Sequence, residues 1–172
     1  MAQTNRKLVL IMGMFTMATG GMLYAWSVIQ PYILDYFSID ASAASIPFSI
    51  NLGIFVVGSI IGGKLQKKNG IQKSLRIGIG INFVGLIITA FIPASAFWLV
   101  VVSFGAITGI GGGIVYNTLI TAVQKYFPDR KGMATGAILC MIGVSGFYMS
   151  PLINYILQEL CLLFLALTNV QL

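Results

Sequence analysis

Five stretches of the chain are apolar for long enough to cross a bilayer, and short polar segments separate them. They run from Leu8 to about Pro31, from about Ala44 to Gly63, from about Leu75 to Ile92, from Phe97 to about Gln124, and from about Met133 to Leu157. A membrane-spanning helix needs about 20 mostly apolar residues. None of the five carries a charge except near its ends, where Lys64 and Arg76 can extend their stems to the interface. Beyond Glu159 a last apolar run, Leu160 to Leu172, would reach only roughly 20 Å as a helix, against a hydrocarbon core of roughly 30 Å. The pattern predicts an all-α membrane protein with five transmembrane helices plus a truncated sixth. Residues 1–157 form the bundle, and 158–172 a truncated or aberrant sixth helix.

Composition strengthens this picture. Only 8% of residues are charged and 58% are hydrophobic, whereas a soluble domain carries about 25% charged residues. The net charge of +6 does not point to nucleic acid, because the basic residues sit in short clusters between apolar runs. Arg6 and Lys7 precede the first stretch. Lys64, Lys67, Lys68, Lys73 and Arg76 follow the second, and Lys125, Arg130 and Lys131 follow the fourth. If the spans alternate, these clusters all fall on one side, opposite Asp35, Asp40 and Glu159. Basic loops stay in the cytoplasm, so the sequence predicts a multi-pass protein of the cell membrane with a cytoplasmic N-terminus. The first apolar stretch is too long for a signal-peptide core of about 7–15 residues and reads as a retained span.

Little here can do covalent chemistry. The chain has no His, and Cys140 and Cys161 lack metal or redox spacing. No nucleophile–base set is visible, so neither an enzyme, a metal nor a cofactor is expected. The Gly109-Ile-Gly-Gly-Gly113 run lies inside a predicted span and has Ile114 where a dinucleotide fingerprint needs glycine. Glycines recur instead at helical spacing: Gly58 and Gly62, Gly105, Gly109 and Gly113, Gly132 and Gly136. In lipid, such small residues let helices approach closely. Tyr24, Trp26, Asn51, Tyr116 and Asn117 are candidates to line a substrate path, because polar groups at membrane depth must find partners or a wet cavity. The aromatic pair suits an interfacial belt equally well, and Asn51 an interhelical hydrogen bond. No Asp, Glu, His, Lys or Arg lies at membrane depth.

The stretch from Gly105 to Pro151 carries a recognisable pattern: G-A-I-T-G-I-G-G-G-I-V-Y, then K-Y-F-P-D-R-K-G-M-A-T-G, ending at Ser150-Pro151. It resembles the fourth and fifth helices of major facilitator carriers, specifically the oxalate/formate antiporter and monocarboxylate branch. Leu23-Tyr24-Ala25-Trp26 is similar to the aromatic pair of that branch's first helix. Gly63-Lys-Leu-Gln-Lys-Lys-Asn-Gly70 resembles the superfamily's loop between helices two and three. The resemblance implies a six-helix N-terminal half, with gate loops at Gly63, Lys67, Lys68, Gly70, Asp129 and Arg130. Lys67 stands where the family usually has Asp, and Ile71 where it has a basic residue, so Asp129 is expected to pair with Arg130, Lys68 or Lys73.

The resemblance therefore implies the N-terminal fragment of an alternating-access antiporter for small organic anions. Its partners would be the lipid bilayer, the anion if a complete carrier forms, and a missing C-terminal half or another chain. A non-transporting scaffold subunit and an inactive truncated remnant are the alternatives.

Overall fold

The structure is a computed structural model that describes residues 6–19, 26–93 and 95–168, with side chains to residue 159 other than that of Lys7. Helix α1 is Arg6–Thr19 and α2 is Trp26–Phe37. The one-turn α3 is Ala41–Ala44, and α4 is Ile46–Ala90. Helix α5 covers Phe97–Tyr126, a 3-10 turn covers Pro128–Arg130, and α6 is Lys131–Thr168. Among the described residues, three helical stretches are long and apolar enough to cross a membrane: Ala41–Ala90, Phe97–Tyr126 and Pro128–Glu159.

The first of these is not one rod. At Gly70 the backbone takes φ 79° and ψ 171°, a conformation open to glycine and strained for any residue with a Cβ. The two arms, 46–69 and 71–90, then fold back along the same partner. Gly58 approaches Ile110, and Gly62 approaches Ile114, so the first arm runs parallel to α5. Gly78 approaches Ile114 and Val115, Asn82 approaches Gly111, and Gly85 approaches Thr108, so the second arm runs antiparallel. At 1.5 Å per residue the arms are roughly 36 and 30 Å long, each enough for a hydrocarbon core. The polar connection expected between Gly63 and Leu75 is thus helical on both sides, with Gly70 alone making the turn.

Helix α5 is the centre of the molecule. More than half of its apolar stretch is buried, against 22% for α4 and 11% for α6. One apolar cluster joins α1, α5 and α6 through Met17, Leu119, Val123, Ala134 and Ile138. A second joins α2, the end of α4 and α5 through Trp26, Ile92, Val100 and Phe104. The outer surface carries Phe15, Phe83, Phe91 and Phe147, all at least 62% exposed. An apolar surface of this extent needs lipid rather than water as its solvent.

Two boundaries differ from the expectation. The apolar pattern ends the first span near Pro31, yet α2 runs through Pro31 to Phe37. The chain leaves the helix at Ser38, with φ 51°. A proline costs one backbone hydrogen bond in a helix, and the packing of Trp26, Ile33 and Phe37 into the second cluster offsets it. The pattern ends the fifth span near Leu157, yet α6 continues to Thr168 with no break before a separate sixth helix. Nothing between Leu152 and Thr168 is Gly or Pro, so no residue there interrupts the helix.

Candidate functional site

A polar seam follows α5 where the arms of α4 press against it. Within α5, residues Val101–Thr108 form a π-helix, a wider turn that leaves backbone groups free for other partners and often marks functional places. The side-chain amide of Asn51 donates to the Phe104 carbonyl at 2.6 Å and to Thr108 Oγ1 at 2.8 Å. Thr108 Oγ1 itself donates to that same carbonyl. Asn82 Nδ2 lies 3.5 Å from the Thr108 carbonyl. Further along, Asn117 Nδ2 donates to Ser59 Oγ at 3.2 Å, and Thr121 Oγ1 donates to the Asn117 carbonyl at 2.8 Å. Gln124 Nε2 reaches Thr135 Oγ1 on α6 at 3.0 Å.

Placement sorts the sequence candidates. Asn51 is 2% exposed, so its amide braces two helices and does not face an open path. Trp26 is not an interfacial ring either. It is buried, stacked on Phe104 with centroids 4.6 Å apart and on Phe48 at 6.4 Å. Its indole N–H is buried with no hydrogen-bond partner among the described residues. Tyr116 packs on Phe55 with centroids 5.2 Å apart; it is half-buried, and its hydroxyl meets no partner among the described residues. Tyr24 lies outside the described residues. The candidates thus form two groups along α5. Trp26 and Asn51 sit at the π-helical end, and Tyr116 and Asn117 sit two to three turns on, beside Phe55 and Ser59.

The glycines divide as well. A Cβ at Gly58, Gly62, Gly109 or Gly113 would meet the backbone of the neighbouring helix, and one at Gly105 would meet Ile50 and the Pro47 carbonyl. At Gly132 and Gly136 a Cβ would meet nothing within 4 Å. These two lie on the outer face of α6, while Ala134 and Ile138 hold the buried face. Sequence reasoning missed Gly78, Gly85 and Gly111, whose approach is as tight. Gly78 and Gly85 are seven residues apart on one helical face, a spacing that could have revealed them.

At the basic end the gate-loop residues are spread out. Gly63 is half-buried near Asn117, Lys67 and Lys68 are exposed, and Gly70 makes the turn of α4. Asp129 pairs with Arg6 at 3.4 Å rather than with Arg130, Lys68 or Lys73. The reason is topological. The 3-10 turn carrying Asp129 lies against the start of α1, because α1 packs between α5 and α6. With the side chains 59% and 75% exposed, such a pair contributes about 0–1 kcal/mol.

Comparison with known proteins agrees with this architecture. The chain is 25% identical over 139 residues to rat (Rattus norvegicus) "Monocarboxylate transporter 13", covering 81% of this chain and 32% of the relative. It is 29% identical over 116 residues to "Riboflavin transporter MCH5" of Saccharomyces cerevisiae, covering 66% and 22%. To "Probable nitrate transporter NarT" of Staphylococcus carnosus it is 28% identical over 149 residues, covering 81% and 36%. The chain therefore spans about a third or less of the length of these curated relatives. The sequence profile of the Major Facilitator Superfamily matches residues 4–167. A central glycine-rich helix clasped by a folded-back neighbour, in a chain of apolar helices matched almost end to end by that profile, makes this protein a member of the Major Facilitator Superfamily, a non-enzymatic membrane carrier family.

Proposed function

We propose that this chain is the N-terminal fragment of an antiporter for small organic anions, of the oxalate/formate or monocarboxylate kind, working by alternating access. Its N-terminus faces the cytoplasm of the cell membrane. The observation that carries the reading is the half-buried Tyr116 hydroxyl beside Asn117 on α5, which meets no partner among the described residues. A donor left without a partner in lipid is costly unless something else takes its hydrogen bond. A carboxylate oxygen is an acceptor that would fit it. Two of the relatives above are named for monocarboxylate and nitrate, each a small anion.

The described spans hold no cation at membrane depth, so the anion's charge is balanced by residues beyond the matched third of the carrier. Asn117, held by Ser59, adds an amide to the path. The close glycine contacts between α4 and α5 let the helices shift without side-chain collisions, which a rocking half requires.

The test uses the chain in proteoliposomes, alone and co-reconstituted with a carrier's C-terminal half. Counterflow of labelled formate, oxalate and lactate measures exchange. Fluorescence of Trp26 in a Trp98→Phe background measures binding. A saturable fluorescence change with carboxylates, weakened about tenfold by Tyr116→Phe through loss of one hydrogen bond to a charged group, is expected. Neither binding nor exchange in either preparation would favour a scaffold without transport.

A further inference from the structure

The 3-10 turn Pro128–Arg130 at the basic end is flanked by two cavities of about 250 and 240 Å³. The first is lined by Arg6, Phe127, Asp129, Arg130 and Met133. The second is lined by Thr121, Gln124, Lys125, Pro128 and Lys131. Each cavity therefore carries two cations, and the turn between them holds one carboxylate. That carboxylate meets Arg6 through a single long contact of 3.4 Å. Arg130, Lys125 and Lys131 have no acidic partner among the described residues. Three positive charges are left uncompensated around three residues of turn.

Apolar surface begins immediately beside these cations. Met133, in the wall of the first cavity, is 54% exposed, and Leu8, Ile11 and Met12 on α1 are 54–61% exposed. A molecule that satisfies both features is an amphiphile, with an anionic head between the basic side chains and a hydrocarbon tail along α1 and α6. A guanidinium fork binds phosphate oxygens in pairs.

We infer that the first cavity is a binding site for the phosphate head of an anionic phospholipid, held by Arg6 and Arg130, with Lys125 and Lys131 adding positive potential from the other flank of the turn. The first cavity shares no residue with the α4–α5 seam, and the proposal does not depend on what is transported. Occupation would hold α1, the turn and α6 together at their shared end, where the exposed Arg6–Asp129 pair contributes little.

The purified full chain would be titrated with phosphatidylglycerol, phosphatidylcholine and inorganic phosphate in detergent, with the thermal unfolding midpoint as the readout. Phosphatidylglycerol should raise the midpoint, whereas phosphatidylcholine and inorganic phosphate should not. Arg6→Gln with Arg130→Gln should weaken the phosphatidylglycerol response roughly twenty-five-fold, from about fivefold per cation. Lys64→Gln with Lys67→Gln, on the α4 turn, should leave it unchanged. Asp129→Asn removes the one repulsive charge and should tighten the response several-fold, a gain that misfolding cannot produce. An equal response to phosphatidylcholine, an equal response to inorganic phosphate, or a response indifferent to the Arg6, Arg130 and Asp129 substitutions would overturn the proposal.

Discussion

The side-chain amide of Asn51 donates to the backbone carbonyl of Phe104 at 2.6 Å, across the interface between the first arm of α4 and the π-helical part of α5. The wide turn and the amide explain one another. The π-helix loosens the local backbone ladder, and Asn51, 2% exposed, supplies a donor where lipid cannot. Asn51→Leu removes this donor and leaves the Phe104 carbonyl to Thr108 alone. A loss of about 1–2 kcal/mol is expected, read as a lower unfolding midpoint in an SDS titration from mixed micelles. An unchanged midpoint would mean that the π-helix holds itself.

The glycines of α5 set the distance between helices, and the structure ranks them. A Cβ at Gly113 would strike the Phe55 carbonyl and would stand 2.6 Å from Ser59 N and 2.9 Å from Gly58 C. Backbone cannot rotate out of the way as a side chain can. Gly113→Ala is therefore expected to cost several kcal/mol, or to abolish folded yield. Gly143→Ala, where a Cβ meets nothing within 4 Å, should hold or gain stability through helix propensity, by up to about 1 kcal/mol. Similar yields from the two variants would contradict the packing of α4 on α5.

Gly70 separates conformational strain from packing. A Cβ there also meets open space, yet φ is 79°. Gly70→Ala should lose about 1–3 kcal/mol, with no collision to blame. Cysteine pairs across the arms provide the check. Cross-linking between the arms should survive in Gly70→Ala at low temperature and fail at a lower temperature than in the parent. If the variant matches the parent throughout, the turn does not need the left-handed conformation.

One buried hydroxyl has no use in the described structure. Thr118 is fully buried, and its Oγ1 has no hydrogen-bond partner. The register of α5 against both arms, read four residues on from the contacts of Gly62 and Gly78 with Ile114, brings Gln66 and Ser74 to its level. Both are buried, and Gln66 Nε2 is also unpartnered. Replacing an unpaired hydroxyl by a methyl group of the same shape removes a desolvation penalty. Thr118→Val should therefore be neutral or stabilising by about 1 kcal/mol. A clear destabilisation in the same SDS titration would reveal a bound water joining Thr118 to Gln66.

Much of the architecture was legible because lipid enforces a simple code. Long uncharged runs separated by basic clusters can only be helices in a membrane, and the starts near Phe97 and Met133 follow from Pro93 and from the charged turn at 129–131. The close packing of Gly58, Gly62, Gly105, Gly109 and Gly113 was readable from four-residue spacing, since that spacing puts small residues on one face. The same spacing at Gly132 and Gly136 pointed the wrong way. Periodicity says that two residues share a face, and it is silent on which face meets a neighbour.

What the sequence determined by itself is the class of solvent, the helical content and the sorting of charge, because each depends on local composition and on the cost of an unpaired backbone in hydrocarbon. Tertiary structure alone decided the partners. It gave Asp129 to Arg6 across 123 positions, buried Asn51 and Trp26 against the π-helix, and folded two predicted spans around α5 through one glycine. Those outcomes depend on the relative placement of distant helices, a quantity that no stretch of apolar residues encodes, since any side of a helix is equally welcome in lipid until another helix arrives.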